Sequence, residues 1–173
     1  LNENYDNSTA SAGTYWNSTA PDNDIIHVGD HANTNGSSAT HICYAWSEIP
    51  GYSSFGTYVG NNSADGPFIN TGFLPALVIV KAISTTGPWV IYDIARGSTA
   101  KPSDASTTNP NPYVLIADDT SAGSTHDAWT GSYPIDLLSN GFKLRGNTGE
   151  MNGTNTFIYM AWAENPYKTA RAF

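Results

Sequence analysis

Two glutamates occupy equivalent positions in a repeated stretch of the chain. Glu48 lies in THICYAWSEIP, residues 40–50, and Glu164 lies in TFIYMAWAENP, residues 156–166. Two carboxylates a few ångströms apart would supply the acid and the base or nucleophile of a glycoside hydrolase. However, each glutamate precedes an X-Pro pair at the end of a strand-like segment, where a carboxylate most simply accepts hydrogen bonds from loop amides. We therefore predict no catalytic residues and a protein that is not an enzyme.

Histidine and acidic residues gather in two further polar stretches, PDNDIIHVGDH (residues 21–31) and ADDTSAGSTHD (residues 117–127). Oxygen-rich loops of this kind can bind Ca²⁺, but neither stretch matches the EF-hand loop or a histidine-rich zinc spacing. We predict solvated loop acids and no cofactor, with Ca²⁺ as the single candidate ion. The side chains concerned are Asp22, Asp24, His27, Asp30, His31, Asp118, Asp119, His126 and Asp127.

Nucleophilic chemistry has little support in the sequence. No G-x-S-x-G motif is present, and Cys43, the only cysteine, lies within a strand-like run with no cationic neighbour to activate it. A single cysteine also excludes an intrachain disulfide. The domain is therefore expected to depend on packing or on assembly for its stability.

The composition is polar but weakly charged, which excludes two classes of partner. Charged residues make up 13% of the chain, the net charge is −8, and the seven Lys and Arg are dispersed. Phosphate backbones and anionic membranes are bound by clustered basic residues instead. No apolar run approaches the about 20 residues of a membrane-spanning helix. We predict no nucleic-acid partner and no membrane insertion.

Aromatic residues are the remaining candidates for recognition. They form 12% of the chain, and Trp46, Trp89 and Trp162 fall in expected strands, where a core position is favoured. Aromatics in loops rich in Asn, Ser and Asp can stack on sugar rings or anchor a subunit interface. The predicted glycan or subunit contacts of this kind are Tyr52, Phe55, Tyr58, Trp129 and Tyr133.

The elements that would position these residues are strands. Short apolar runs bounded by Gly, Pro and Asn recur along the chain, and no stretch of ten residues has helical apolar spacing. The sequence predicts an all-β fold, a two-layer antiparallel sandwich of the jelly-roll or concanavalin A-like kind. The expected strands are Ile25–Val28, Ile42–Trp46, Ala76–Ala82, Trp89–Asp93, Tyr113–Ala117, Ile135–Leu138, Phe142–Arg145 and Phe157–Trp162.

The clearest local pattern is the hairpin sequence IDLLSNGFKLR, residues 135–145. Asn140-Gly141 suits a two-residue type I′ turn, which would place Leu137 opposite Leu144. Asp136 would then form an exposed cross-strand ion pair with Arg145. The expected core face carries Ile135, Leu137, Phe142 and Leu144.

The repeated stretches that carry the two glutamates align without a gap at a spacing of 116 residues, from Thr40 to Thr156. We interpret them as two copies of one strand. Ile42–Trp46 and Phe157–Trp162 are accordingly expected to be central strands related by pseudo-symmetry, with their bulkier residues on one face and small residues on the other.

The chain ends and loops complete the organisation. Residues 1–24 are polar and are predicted to form an arm for assembly, ahead of a single sandwich domain over residues 25–173. Two long loops, residues 96–112 and 118–133, are rich in Ser, Thr, Pro and Gly, and loops of that length are functional or mobile. Asn-x-Ser/Thr sequons, whose use depends on the host, occur at Asn7, Asn17, Asn35, Asn61 and Asn152.

Four quoted segments together carry a resemblance to a known family. They are GYSSFGTYVGNNSADGPFINTGFLPALVIVK, PWVIYDIAR, IDLLSNGFKLR and FIYMAWAENPYKTARAF, in this order within residues 40–173. This part of the chain resembles a domain of uncharacterised function found in bacteriophage tail-fibre and other virion proteins. The resemblance implies a lectin-like β-sandwich in a virion fibre or in host attachment, and it carries over no catalytic residue.

These observations leave three functions in order of preference. The first is a structural and adhesive module, virion-borne or extracellular, that assembles as a homo-oligomer, either a trimeric tip or a helical filament, and contacts surface glycans. The second is a monomeric carbohydrate-binding module. The third is a polysaccharide-degrading enzyme.

Overall fold

The computed structural model describes residues 15–20, 22, 24–94, 114–117 and 134–166. The chain divides into two compact units, Leu1–Trp46 and Ser47–Phe173. The first unit contains the one-turn helix α1 (Ala32–Asn35), which His31 caps by accepting a hydrogen bond from the Asn33 N–H at 3.1 Å. The predicted division into an arm over residues 1–24 and a sandwich over residues 25–173 stays a prediction.

The second unit contains two antiparallel sheets, as predicted for an all-β sandwich. The larger sheet has the strand order β1-β8-β3-β4-β5, and the smaller has the order β2-β7-β6. A one-turn helix, α2 (Gly149–Asn152), precedes the last strand. The strands are β1 (Ser53–Val59), β2 (Phe68–Asn70), β3 (Pro75–Ala82), β4 (Trp89–Asp93), β5 (Leu115–Ile116), β6 (Ile135–Leu138), β7 (Gly141–Leu144) and β8 (Thr156–Ala163).

The core of the second unit lies on one face of each sheet. Alternate residues of the central strands point inward, because successive side chains of a strand project to opposite faces. The β-branched runs of β3 and β4 suit such half-buried, pleated positions. The inward residues form a single buried cluster that includes Val78, Val80, Val90, Tyr92, Ile135, Leu137, Phe142, Leu144, Phe157 and Tyr159.

Six of the eight predicted strands are confirmed, within one or two residues at most ends, and two are wrong. Ile25–Val28 and Ile42–Trp46 belong to neither sheet, and both segments lie in the first unit. The prediction also missed β1 and β2. The sequence of β1, SSFGTYV, contains Gly56, and glycine is a residue type that often interrupts a strand. Gly56 nevertheless has extended backbone within β1. A Cβ atom at this position would approach the Tyr159 ring to 2.9 Å, so the glycine permits close packing.

The β6–β7 hairpin has the predicted core face but another register. Leu137 pairs with Phe142 and Asp136 with Lys143, a slip of two residues from the type I′ arrangement. A two-residue slip keeps the same side chains inward, whereas a one-residue slip would reverse the faces. Gly141 is a strand residue beside β2, where a Cβ atom would lie 2.0 Å from the Ile69 carbonyl oxygen. Close approach of β2, and not a type I′ turn, therefore requires this glycine.

The predicted pair of Asp136 and Arg145 is present, but it is not fully exposed. Arg145 Nε donates to Asp136 Oδ2 at 2.5 Å, and the Asp136 side chain is only 10% exposed. The two residues are diagonal neighbours in the observed register. Burial of the carboxylate makes this ion pair more costly to break than a surface pair.

Candidate interaction surface

The structure separates the predicted contact aromatics. Tyr52 lies in the turn before β1 and is 37% exposed. Phe55 is a half-buried residue of β1, and its ring meets that of Trp162 edge to face at 5.6 Å. Tyr58 is also in β1 and is buried. Trp129 and Tyr133 lie outside the described residues.

The placement of Tyr58 in a contact loop is wrong. Its ring stacks on Phe157 at 5.0 Å, and its hydroxyl donates to the Met151 carbonyl oxygen at 2.6 Å. Burial raises the pKa of Tyr58 well above its ordinary value of 10.0, because the phenolate would be desolvated. Tyr58 is thus a core residue whose polar group is satisfied inside the protein.

Exposed apolar side chains concentrate in the first unit. Scattered apolar residues are normal on a protein surface, whereas a run of them marks an interaction site. Ile42 is 77% exposed and Tyr44 is 72% exposed, and the Tyr44 and Trp46 rings lie nearly parallel with centroids 6.0 Å apart. We call residues 40–47 the apolar segment. Other large exposed apolar residues of this unit are Ile25, Ile26 and Val28.

Among the described residues, the larger sheet ends in the strand β1, whose outer side is paired only at Ser53. On one side β1 pairs with β8, and on the other Ser53 exchanges hydrogen bonds with Ile49 at 2.9 and 3.2 Å. Residues of an antiparallel strand alternate in the side to which they direct their N–H and C=O groups. Phe55, Thr57 and Val59 therefore direct theirs away from β8, and in the described part of the chain no strand pairs with them. We call these backbone groups the β1 edge.

The other sheet margins are better protected against a further strand. The strand β5 has two residues, β2 has three, and β6 carries Asp136 in its ion pair. Short strands and charged side chains are ordinary defences of a sheet edge. The seven residues of β1 contain no charge and no proline. This strand is the margin at which a partner strand meets the least obstruction.

The two glutamates contact neighbouring chain segments. Glu48 Oε1 accepts a hydrogen bond from the Ser54 hydroxyl at 3.3 Å, and the Glu164 N–H donates to the Leu74 carbonyl oxygen at 2.9 Å. Glu48 therefore bonds a side-chain hydroxyl beside its own turn, where a loop amide was expected. Both residues are exposed.

Of the two loops rich in acids and histidines, only the first is described. Asp22 accepts hydrogen bonds from the backbone N–H groups of Asp24 and Ile25, at 2.9 and 2.8 Å, and these bonds lower the pKa of its carboxyl group. Asp118, Asp119, His126 and Asp127 lie outside the described residues. Where the structure describes the chain, no three His, Cys, Asp or Glu residues are placed to hold a metal ion. In the same residues no helix is long and apolar enough to cross a bilayer.

A buried asparagine organises the loop over residues 60–66, which sequence analysis did not anticipate. The Asn152 side chain is fully buried. Its Nδ2 donates to Asn61 Oδ1 and to the carbonyl oxygens of Ser63 and Gly146, at 3.2, 2.8 and 2.8 Å. Its Oδ1 accepts from the Asn61 N–H at 3.0 Å. In the sequence, Asn61 and Asn152 stand out only as the asparagines of two sequons.

A charge contact holds the far end of the same loop. Lys143 Nζ donates to the Gly66 carbonyl oxygen at 2.7 Å and lies 2.9 Å from Asp65 Oδ1. The Lys143 ammonium lowers the pKa of the exposed Asp65 carboxyl group through this hydrogen bond and its charge. The loop is thus tied to β7 and α2 by polar contacts, and it packs on the rim of the smaller sheet.

Comparison with known protein families identifies one family that matches the chain. The family model described as a domain of unknown function, DUF7483, matches residues 1–166. The chain therefore belongs to this family. No curated protein matches the chain, and no solved structure matches it.

Proposed function

We propose that this domain is a non-enzymatic structural and adhesive module that assembles with copies of itself in an extracellular or virion fibre. The observation that carries the proposal is the pairing of two features: an apolar segment with Ile42 and Tyr44 more than two-thirds exposed, and an uncharged β1 edge. A chain that shows either feature to water is prone to associate. A fibre uses such association as its function.

The composition supports the same function. Because charged residues make up only 13% of the chain, few charged side chains lose their hydration when identical subunits pack together, whereas the net charge of −8 opposes association at low salt. With one cysteine, no intrachain disulfide stabilises the domain, so assembly would add stability through mass action. The resemblance of residues 40–173 to virion fibre proteins supports placement in a virion.

The test is sedimentation velocity over a range of micromolar protein concentrations. We expect wild type to form oligomers or filaments. In the double variant Ile42→Ser/Tyr44→Ser, the concentration at which oligomers form should rise at least about a hundredfold, since each large apolar side chain lost from the contact costs about 1.5–3 kcal/mol. Phe68→Ser is the matched control, because Phe68 is an exposed aromatic of the second unit and is not among the predicted contact residues. Wild type that stays monomeric throughout would refute the proposal.

A second candidate function is glycan binding by a monomer. The observation in its favour is the exposed, nearly parallel pair of Tyr44 and Trp46 rings, since aromatic faces stack on sugars. A glycan array would test it. Binding that Tyr44→Ala removes and Phe68→Ala retains would support this function, and the absence of any glycan signal would exclude it for the glycans on the array.

A further inference from the structure

The β1 edge and the apolar segment suggest how copies join. We propose that residues 40–44 of one copy add as an antiparallel strand to the β1 edge of a second copy. This inference rests on the proposed function, and it identifies the contact through which assembly occurs. Strand addition supplies main-chain hydrogen bonds for affinity and side-chain pairs for specificity.

The donor segment resembles in sequence the strand β8, which already pairs with β1. The apolar segment shares with β8 the residues Thr, Ile, Ala and Trp at equivalent positions, which in β8 are Thr156, Ile158, Ala161 and Trp162. In β8 this sequence forms an eight-residue strand hydrogen-bonded to β1 along its whole length. A segment with the same pattern is therefore suited to pair with the same strand.

The acceptor is the β1 edge, whose backbone groups pair with no strand in the described part of the chain. The β1 edge offers the N–H and C=O groups of three residues, spaced as an antiparallel partner requires. Val59, at its far end, is 64% exposed. A strand laid here would cover apolar surface as well as satisfy backbone groups.

The register follows from the pairing of β8. In that pair Met160 lies opposite Phe55 and Ile158 opposite Thr57. The equivalent residues of the donor are Tyr44 and Ile42, which places Tyr44 opposite Phe55. Ser53 is already bonded to Ile49, so the added strand begins at Phe55 and ends with Thr40 opposite Val59.

We infer that the added strand comes from a second copy, because the turn between Ile49 and Ser53 would direct Tyr44 of the same chain to the core face of β1. The bridge between Ile49 and Ser53, if continued backward along the same chain, would place Tyr44 opposite Tyr58, a core residue. The counterparts of Tyr44 and Ile42 in β8 lie on the other face, beside Phe55 and Thr57. A strand that continues this bridge within one chain has the register with Tyr44 opposite Tyr58. A separate chain is free to adopt the register with Tyr44 opposite Phe55.

Disulfide trapping between two differently sized chains tests the contact. One chain carries Ile42→Cys with Cys43→Ser, and the other, enlarged by a tag, carries Thr57→Cys with Cys43→Ser. Residues directly opposite in an antiparallel pair lie within disulfide distance. Under mild oxidation we expect a mixed disulfide dimer on non-reducing gels. The matched control replaces the first chain by wild type, whose Cys43 would face the opposite side of the sheet, and we expect about tenfold less mixed dimer.

The outcomes separate this inference from the proposed function. A stronger cross-link from Cys43 than from the Ile42→Cys chain would overturn the proposed face. Rapid closure of an intramolecular disulfide in a single chain carrying both new cysteines and Cys43→Ser would show that the segment pairs with its own β1. Oligomers in sedimentation without mixed dimer would refute strand addition and leave the proposed function standing, whereas monomers throughout would refute both.

Discussion

Replacement of Asn152 by alanine should destabilise the second unit more than any surface substitution. The change removes four side-chain hydrogen bonds that Asn152 makes to Asn61, Ser63 and Gly146, all from a fully buried position. Each buried hydrogen bond contributes about 1 kcal/mol net, and stranded partners add to the loss. We expect the free energy of unfolding to fall by about 4 kcal/mol, a large share of the about 5–15 kcal/mol of a typical domain.

Chemical denaturation followed by tryptophan fluorescence measures this loss, and calorimetry should show the melting temperature lowered by about 10 °C. Asn165→Ala is the matched control, because Asn165 is exposed, and its effect should stay within about 0.5 kcal/mol. A loss below about 1 kcal/mol in Asn152→Ala would refute the account of the loop over residues 60–66, since water would then replace the asparagine at little cost.

Three further predictions concern pH and packing. Because the pKa of Tyr58 is raised in the folded state, the stability that is present below pH 10.0 should be lost as pH rises toward the folded pKa, by about 1.4 kcal/mol per pH unit. Chemical denaturation of Tyr58→Phe at alkaline pH should lack this contribution. The same dependence of unfolding free energy on pH in Tyr58→Phe and wild type would contradict the prediction. Because Lys143 lowers the pKa of Asp65, the ion pair between them should stabilise the fold above pH 3.8, and this stabilisation should be lost as pH falls through the folded pKa of Asp65. In an NMR titration, Lys143→Met should return the pKa of the Asp65 carboxyl group toward 3.8. An unchanged Asp65 pKa in this variant would contradict the contact. Gly60→Ala should cost about 2 kcal/mol in denaturation, because its Cβ atom would lie 2.0 Å from the Gly153 carbonyl oxygen, and a neutral result would exclude that close approach.

Local sequence predicts the strands whose side chains are β-branched or strictly alternating. The run of β3, PALVIVKA, and the alternation in β6 and β7 each specify a strand and its inward face. The register of the hairpin was not predictable in the same way, because Gly141 is needed for the approach of β2. That contact joins residues about 70 positions apart in the chain, and no local turn rule includes it.

The repeated strand shows where pattern alone misleads. Residues 40–50 and 156–166 are identical at six of eleven positions, yet β8 is an inner strand of its sheet and Ile42–Trp46 belongs to neither sheet. Strand formation depends on available partners as much as on side-chain propensity. The prediction of a strand at Ile42–Trp46 is therefore wrong, and its pairing with a second copy stays a proposal.

The candidate surface was only partly predictable. Of the aromatics predicted in loops, Tyr52 is exposed and Tyr58 is buried. Tyr58 lies on the same face of β1 as Ser54 and Gly56, so its burial follows only when β1 is known to be a strand. The β1 edge itself could not be predicted, because strand order is a property of the whole fold.

Hydrogen–deuterium exchange at two protein concentrations tests self-assembly through the β1 edge most directly. We expect the amides of Phe55, Thr57 and Val59, observed in peptides covering residues 53–59, to exchange rapidly at high dilution and to be protected at high concentration, because a second copy then covers these edge amides. Peptides from β3, which is central in its sheet, should exchange alike at both concentrations. Equal exchange of residues 53–59 at both concentrations, in samples shown to be assembled at the higher one, would contradict the account.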